Sequence, residues 1–247
     1  MFIIPAGEGT SMISALIFDA WGTLFRNATE EAPLDAMNRY LGKTFYDPEY
    51  LAAFEDVASL DSVGDLDASA RLLLNRIHHP CDDETVNTVA GYMRQAFTSS
   101  VVMYDDARET LPVLKKKYKI GLISNSGILS AQNLRSRFPL DTLFDHVLFS
   151  YETRYLKPQP EMFYRMLELL GISDPQSAAY IGDHPIIDVS GAAAARLIPV
   201  LIDRDHRAGD CECIVCNTLF ELESRLDRSF KIGADREDAI ISKEGKQ

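Results

Sequence analysis

The chemistry this sequence can offer is concentrated where short apolar runs meet acidic, polar or basic residues. Asp19 directly follows Ala15-Leu16-Ile17-Phe18 and opens the segment Asp19-Ala20-Trp21-Gly22-Thr23-Leu24. An aspartate on a tight glycine-containing turn can be presented as a nucleophile, with the Thr23 hydroxyl and loop N–H groups around it. Ser124-Asn125 closes the run Ile120 to Ile123 and supplies a hydroxyl and an amide for a substrate oxygen. Lys157, in Leu156-Lys157-Pro158, is a cation fixed at a turn by the following proline. Gly182-Asp183-His184-Pro185-Ile186-Ile187-Asp188 sets two carboxylates around a helix start. Hard oxygen ligands of this kind suit Mg²⁺, which commonly takes one or two carboxylates and keeps several waters.

The elements that position these residues follow from the hydrophobic pattern. Ala15 to Phe18, Ile120 to Ile123, His146 to Phe149, Ala178 to Gly182 and Ile198 to Ile202 are continuous rather than alternating apolar runs. Such runs suit strands buried on both faces. Helical patterns lie between the later ones. Ala107 to Tyr118 starts after Asp105-Asp106 and ends in Lys115-Lys116-Lys117, and Pro160 to Leu170 is followed by Gly171. The alternation predicts an α/β fold, a doubly wound parallel sheet with helices on both faces. Ligands of open α/β sheets bind outside the carboxyl ends of the strands, where these aspartates fall. Residues 28–104 contain no buried-strand run but show helical spacing in Pro33 to Leu41, Pro48 to Leu60, Leu66 to Ile77 and Asp83 to Phe97. We read them as a helical subdomain inserted into a core formed by residues 13–27 and 105–226. The tails, 1–12 and 229–247, are expected to be poorly ordered, and Met12 is an alternative start.

Composition narrows the partners. Hydrophobic residues are 46% and charged residues 25% of the 247, as in a soluble globular protein. The net charge of -12 repels nucleic-acid backbones and anionic membranes, so an anionic small-molecule substrate needs a local cation or helix N-termini. The early apolar run Met12 to Phe18 is too short to span a bilayer, and residues 1–11 lack the basic start of a signal peptide. Four cysteines without a leader are expected to be reduced thiols of a cytoplasmic protein, monomeric or homodimeric.

The four segments, in this order, resemble the motifs of the haloacid dehalogenase (HAD) superfamily: Asp19, Ser124, Lys157 and the Asp183/Asp188 pair. The likeness covers roughly residues 13–226, and residues 28–104 are similar to that family's type 1 cap. The resemblance implies a Rossmann-like core in which Asp19 forms a covalent aspartyl intermediate that water then hydrolyses. It further implies that Ser124, with Asn125 beside it, binds the transferring group and that Lys157 offsets negative charge there. In phosphoryl-transferring members it implies Mg²⁺ held by Asp19, the Trp21 backbone carbonyl, Asp183 and Asp188, the last directly or through water.

One position departs from the phosphatase pattern. Two residues after the nucleophile those members carry a second aspartate as general acid and base, and here Trp21 stands there. An indole N–H only donates hydrogen bonds, and general acid–base help is worth roughly 10²–10⁴-fold. Dehalogenases of the superfamily resemble this chain at Asp19 to Thr23, but they use no metal and usually carry Ser-Asn where it has Gly182-Asp183. They also use a cap arginine for the substrate carboxylate, for which Arg39, Arg71, Arg76 and Arg94 are candidates. Retaining two acids in the last motif is hard to explain without a cation, because adjacent carboxylates raise one another's pKa. Magnesium-dependent phosphoester hydrolysis is therefore the main reading. Metal-free dehalogenation and a binding protein with little turnover are the alternatives.

Other signals have plainer explanations. His78, His79 and Cys81 read as an exposed cap loop rather than metal ligands. Cys213 to Asn217 reads as a strand, which leaves Cys211, Cys213 and Cys216 as small core residues rather than a cluster. Ala192 to Ala195 suits close helix-on-sheet packing, and Tyr151 and Tyr155 are first of all packing residues. Asp203 and Arg204 read as a surface ion pair. His184 either touches a leaving group or braces its own loop.

Overall fold

The computed structural model describes residues 13–29, 31–61, 63–206 and 213–229. Both tails, as well as Cys211, lie essentially outside them. Among the described residues the strands are β1 (Ala15–Phe18), β2 (Phe25–Asn27), β3 (Val101–Met103), β4 (Lys119–Ser124), β5 (His146–Phe149), β6 (Ala178–Gly182), β7 (Ile198–Ile202) and β8 (Ile214–Cys216). Six form one sheet in the order β5-β4-β1-β6-β7-β8, with every neighbouring pair parallel. The pattern of continuous apolar runs is satisfied because the sheet is covered on both faces. Leu16 and Phe18 join one buried cluster, while Ala15 and Ile17 join another with Phe163, Met166 and Tyr180. β1 is the switch point: the chain extends from it to β4 on one side and to β6 on the other, opening a crevice at its carboxyl end.

Helices α1 (Pro33–Leu41), α2 (Pro48–Phe54), α3 (Leu66–Arg76) and α4 (Asp83–Thr98) lie between β2 and β3. Asp47, Asp65 and Asp82 cap the last three, each side chain accepting from a backbone N–H of the first turn. These helices bury a core of their own, with Met37, Tyr50, Phe54, Leu73, Val89 and Met93 among its members. The pattern that predicts one helix over Pro48 to Leu60 is interrupted, since the chain widens after α2 into a π-helical turn, Glu55–Ser59. The antiparallel pair β2–β3, absent from the sequence expectation, closes the base of the insertion. Each of its strands has only three residues, too short to leave an apolar run.

The insertion also rests on the core at its far end. The Ser150 hydroxyl donates to the Ser59 carbonyl at 2.6 Å, Ile128 N–H to the Asp61 carbonyl at 2.7 Å, and Arg154 to the Leu60 carbonyl at 3.0 Å. Gly127 is required there, because a Cβ would lie 2.3 Å from the Ala58 carbonyl oxygen. On the other side, helix α5 (Asp105–Leu114) includes Asp105-Asp106, two residues before the expected start at Ala107, and ends before the lysines, and helix α6 (Ile128–Arg137) follows β4.

Two expectations need correction. Cys81 and Cys216 are free, but Cys213 is disulfide-bonded rather than a reduced thiol. Arg204 is no surface partner of Asp203. It reaches across the sheet ends to donate to the Gly22 carbonyl at 3.1 Å and the Thr23 carbonyl at 2.6 Å, and makes a two-pronged pair with Asp106 at 2.9 and 3.1 Å. Its guanidinium lies 3.8 Å from the Tyr104 ring centre. Asp106 is buried and also accepts from the Leu219 N–H at 2.8 Å, so one carboxylate ties α5 to the segment after β8 and, through Arg204, to the Asp19 loop. Replacing Arg204 by Met should lower stability by about 1.5–3 kcal/mol, the range for hydrogen bonds to charged groups. Urea unfolding measures it; an unchanged midpoint would show that the loop is held without Arg204.

Candidate active site

Three strand ends and one turn converge beside β1. Asp19 begins the loop after β1 and is held by its N–H to the Ile181 carbonyl of β6 at 2.8 Å. Gly22 takes a φ of +75°, and a Cβ there would lie 2.2 Å from Asp183 Oδ2, so the loop passes close under that carboxylate only because the residue is glycine. Gly182 has the same logic at the end of β6, where a Cβ would lie 2.4 Å from Asp188 Cγ. The π-helical turn Pro185–Ser190 then folds Asp188 back over the strand.

At the centre lies the Lys157 ammonium. It donates to Asp19 Oδ1 at 2.5 Å, to Asp188 Oδ1 at 2.6 Å and to the Tyr180 hydroxyl at 2.9 Å, so all three of its protons are used. Tyr180 OH lies 3.1 Å from the same Asp188 oxygen, and Asp188 Oδ2 accepts the His184 N–H at 3.0 Å. Asn125 does not point at the carboxylates. Its amide brackets the Lys157 backbone, donating to the carbonyl at 3.0 Å and accepting from the N–H at 2.9 Å. Burial opposes the ammonium, but the carboxylates of Asp188 and Asp19 outweigh it and hold Lys157 above its ordinary range.

One oxygen from each of Asp19, Asp183 and Asp188 lies within 4.8 Å of the others. Burial pushes the Asp19 carboxyl up to about 7 despite Lys157, and the Asp188 charge adds to the rise. Asp183 is exposed on its outer side, yet loss of solvation against the cleft wall, then the charges of Asp19 and Asp188, raise it well above the usual carboxylate range. Three carboxylates against one ammonium leave two negative charges when all are ionised. An all-oxygen donor set with that excess fits a hard divalent cation.

A cleft of about 400 Å³ opens beside the cluster, a size that suits a small molecule. Asp19, Trp21, Asn125, Lys157, Asp183 and Asp188 all line it. Ser124 and Thr23 do not. The Ser124 hydroxyl is fully buried, 2.9 Å from that of Ser126, and it is Ser126 that borders the cleft. Thr23 is fully buried and its hydroxyl has no hydrogen-bond partner, so the expected contact with Asp19 is not formed. Trp21 faces the cleft with its indole N–H committed to Ser126 Oγ at 3.1 Å. His184 also lines the cleft. Its Nδ1 accepts from the backbone N–H groups of Ile186 and Ile187 at 3.2 and 3.4 Å, and its ring stacks on Tyr46 of the insertion. It therefore braces its own loop and carries its proton on Nε2.

The four candidate arginines are elsewhere. Arg39 pairs with Glu31, Arg71 with Asp83, Arg76 with Asp56 and Arg94 with Asp67, and every one of these side chains is at least 39% exposed. Arg26 of β2 borders the cleft instead. His78, His79 and Cys81 occupy the loop after α3, and Tyr151 and Tyr155 lie away from the cleft. No helix among the described residues is long and apolar enough to cross a membrane. Sequence reading missed Tyr180, Ser126, Arg204 and Glu55, of which the first three act through contacts between distant segments.

Comparison with known proteins gives the family and the fold. The family model for haloacid dehalogenase-like hydrolases matches residues 13–196. Pyrophosphatase PpaX of Bacillus cereus (strain AH820) is 27% identical over 173 residues, 70% of this chain and 75% of that one. The 2-haloacid dehalogenase of Pseudomonas syringae pv. Tomato DC3000 superposes with a TM-score of 0.59 at 20% identity, covering 88% of this chain and 99% of the other. A HAD phosphatase from Thermococcus onnurineus does so with a TM-score of 0.55 at 23% identity, covering 86% and 97%. With the matched region holding β1, the insertion, Lys157 and both last-motif aspartates, the chain belongs to the haloacid dehalogenase-like hydrolases.

Proposed function

We propose that this hydrolase cleaves a small phosphoester with Asp19 as nucleophile, in a core of residues 13–27 and 105–226 covered by a cap of residues 28–104. The observation that carries the reading is the carboxylate cluster, whose three acids, once ionised, hold two negative charges more than Lys157 neutralises. Asp19, Asp183, the Trp21 carbonyl and Asp188, the last directly or through water, would hold Mg²⁺. Bound there, the ion would offset the charge of a phosphate dianion approaching a carboxylate.

The chain's own residues supply the rest. Lys157 fixes one Asp19 oxygen, leaving the other to attack phosphorus and displace the leaving oxygen. Ser126, at the cleft wall, would receive an oxygen of the transferring group, with Asn125 beside it holding the Lys157 backbone in position. The buried Ser124 hydroxyl supports Ser126 instead of binding substrate itself. Water then cleaves the aspartyl phosphate and restores the Asp19 carboxylate. Phe45, Leu51, Phe54 and Phe97 give the cleft an apolar wall on the cap side, which favours a compact leaving group and keeps bulk water out during attack.

Dehalogenation is the second reading because Trp21 occupies the position two residues after the nucleophile, where phosphatases of the family carry an acid. The exposed, paired state of all four cap arginines disfavours it, although Arg26 offers one cation.

Product release separates the two. Phosphate from a panel of phosphoesters and halide from 2-haloacids are followed with Mg²⁺ or chelator, using Asp19→Asn as the blank. Mg²⁺-dependent phosphate release, abolished in Asp19→Asn, is expected; chelator-resistant halide release would make the chain a dehalogenase. Because cation ligands must be deprotonated, Mg²⁺ affinity should rise as pH climbs through about 7, where Asp19 ionises, with protons released on binding. Calorimetry in buffers of different ionisation enthalpy reads both. In the same titration Asp183→Asn should weaken binding at least about tenfold, as expected for a direct carboxylate ligand; unchanged affinity would remove Asp183 from the ligand set.

A further inference from the structure

Glu55 enters the cleft from the insertion, at the first position of the π-helical turn Glu55–Ser59. Its Oε2 is buried and has no hydrogen-bond partner. An unpaired buried carboxyl oxygen is destabilising, so packing alone gives no reason for this residue here. π-helical turns inside helices are frequent at functional sites. This one is not free to swing, since Ser59, Leu60 and Asp61 are each bonded through their carbonyls to the core and Ala58 abuts Gly127. Glu55 is thereby fixed over the same cleft that holds Asp19.

The other titratable groups around the cleft are committed. Lys157 has spent all three protons, Asp183 and Asp188 belong to the carboxylate cluster, and His184 Nδ1 is taken by two backbone N–H groups. Asp35 is exposed and stands on α1 at the outer wall, and Tyr104 lies under the guanidinium of Arg204. Trp21 cannot exchange a proton at neutral pH. The exception is the His184 Nε2–H, which has no hydrogen-bond partner but belongs to an imidazole that burial holds neutral, and among the carboxyls lining the cleft Glu55 is the buried one outside the cluster. Burial pushes its carboxyl up to about 7, against the Ser59 hydroxyl, the Lys157 charge and the Asn125 amide, with the Asp19 charge adding to the rise.

We propose that Glu55 is the general acid and base of the reaction, supplied by the cap in place of the aspartate that Trp21 displaces. The inference rests on the phosphohydrolase reading above. As Asp19 forms its bond to phosphorus and the bond to the leaving oxygen breaks, the Glu55 carboxyl passes its proton to that oxygen, which departs as a neutral alcohol. Glu55, now a carboxylate, takes a proton from the water that attacks the aspartyl phosphate, regenerating the acid as phosphate leaves. Placing the proton donor in the cap makes turnover depend on the cap being seated, because the acid is assembled over the nucleophile only through the Ser59–Asp61 contacts. The substrate class follows: esters of poorly leaving alcohols, with an apolar or weakly polar body, gain most from such a donor.

The test is the dependence of kcat/KM for phosphate release on the leaving group, measured with Mg²⁺ over monoesters running from p-nitrophenyl to simple alkyl phosphates. The wild-type protein should show a shallow dependence, with alkyl-ester activity falling as pH rises through about 7 and the Glu55 proton is lost. Glu55→Gln should steepen the dependence, losing roughly 10²–10⁴-fold on alkyl esters but about tenfold or less on p-nitrophenyl phosphate, and should lose that pH limb. A steep dependence in the wild-type protein, which needs no variant to fold, overturns the assignment. So does an equal loss on both ester classes in Glu55→Gln. Phosphate release with either of those outcomes refutes Glu55 alone, whereas no release from any ester above the Asp19→Asn blank refutes the phosphohydrolase reading and the acid with it.

Discussion

The ammonium of Lys157 is buried between carboxylates that reach it from segments 138 and 31 residues away in sequence. Taking such ions out of water costs several kcal/mol each, and their attraction repays it only where the geometry is tight and every proton has a partner. Here each does: two carboxylates and the Tyr180 hydroxyl absorb the three protons. Much of the surrounding architecture serves that condition. β1 and β6 must be neighbours for Asp19 and Tyr180 to face one ammonium, Gly182 must lack a side chain for Asp188 to fold back, and Asn125 must bracket the lysine backbone. A lysine buried this deeply beside the Tyr180 ring would otherwise be expelled.

The lysine satisfies only part of the acidic charge. It draws on one oxygen each of Asp19 and Asp188, while Asp183 has no ammonium of its own and stands close enough to both to raise its proton affinity. The site is thus stable as a protein fold yet electrostatically unfinished. A third carboxylate without a counter-charge would repel an anionic substrate, whereas an all-oxygen set of this kind suits a hard cation. The last motif, not the turn after β1, carries the sharper distinction, because Asp183 brings the added acid while Trp21 brings only an uncharged side chain to the cleft.

How much of this the sequence discloses depends on whether a residue's role is local. Ala15–Phe18, His146–Phe149, Ala178–Gly182 and Ile198–Ile202 form strands where their apolar runs lie, since a strand buried on both faces leaves an uninterrupted signature. Asp19 and Asp183 stand out for the same reason, each directly following such a run, and Lys157 by its place before a proline at a turn. Tyr180 does not, because a tyrosine inside an apolar strand looks like packing until its hydroxyl is seen on Lys157. Arg204 is likewise invisible: only the sheet order brings it over the Gly22 and Thr23 carbonyls. Ser124 and Ser126 differ by two positions, and which one borders the cleft depends on how the chain turns after β4. The cap arginines show the opposite failure, since composition offered four and the fold pairs each one on an exposed face.

Glu55 belongs to the same class of hidden residue, and it bears on why a cap is attached at all. On a regular helix it would be one more polar position following Phe54. The widened turn and the carbonyl contacts of residues 59–61 convert it into a carboxyl held over the cleft, with one oxygen deprived of any donor. A proton donor on the core could act whether the cleft was open or closed, wasting the aspartyl intermediate on premature reaction with bulk water. A donor on the cap is present only when the apolar wall of Phe45, Leu51 and Phe54 is also in place. Exclusion of water and delivery of the proton then become one event, set by the same few carbonyl contacts. The loss of an acid at position 21 is then less a defect of the core than a transfer of the proton step to the element that selects the substrate.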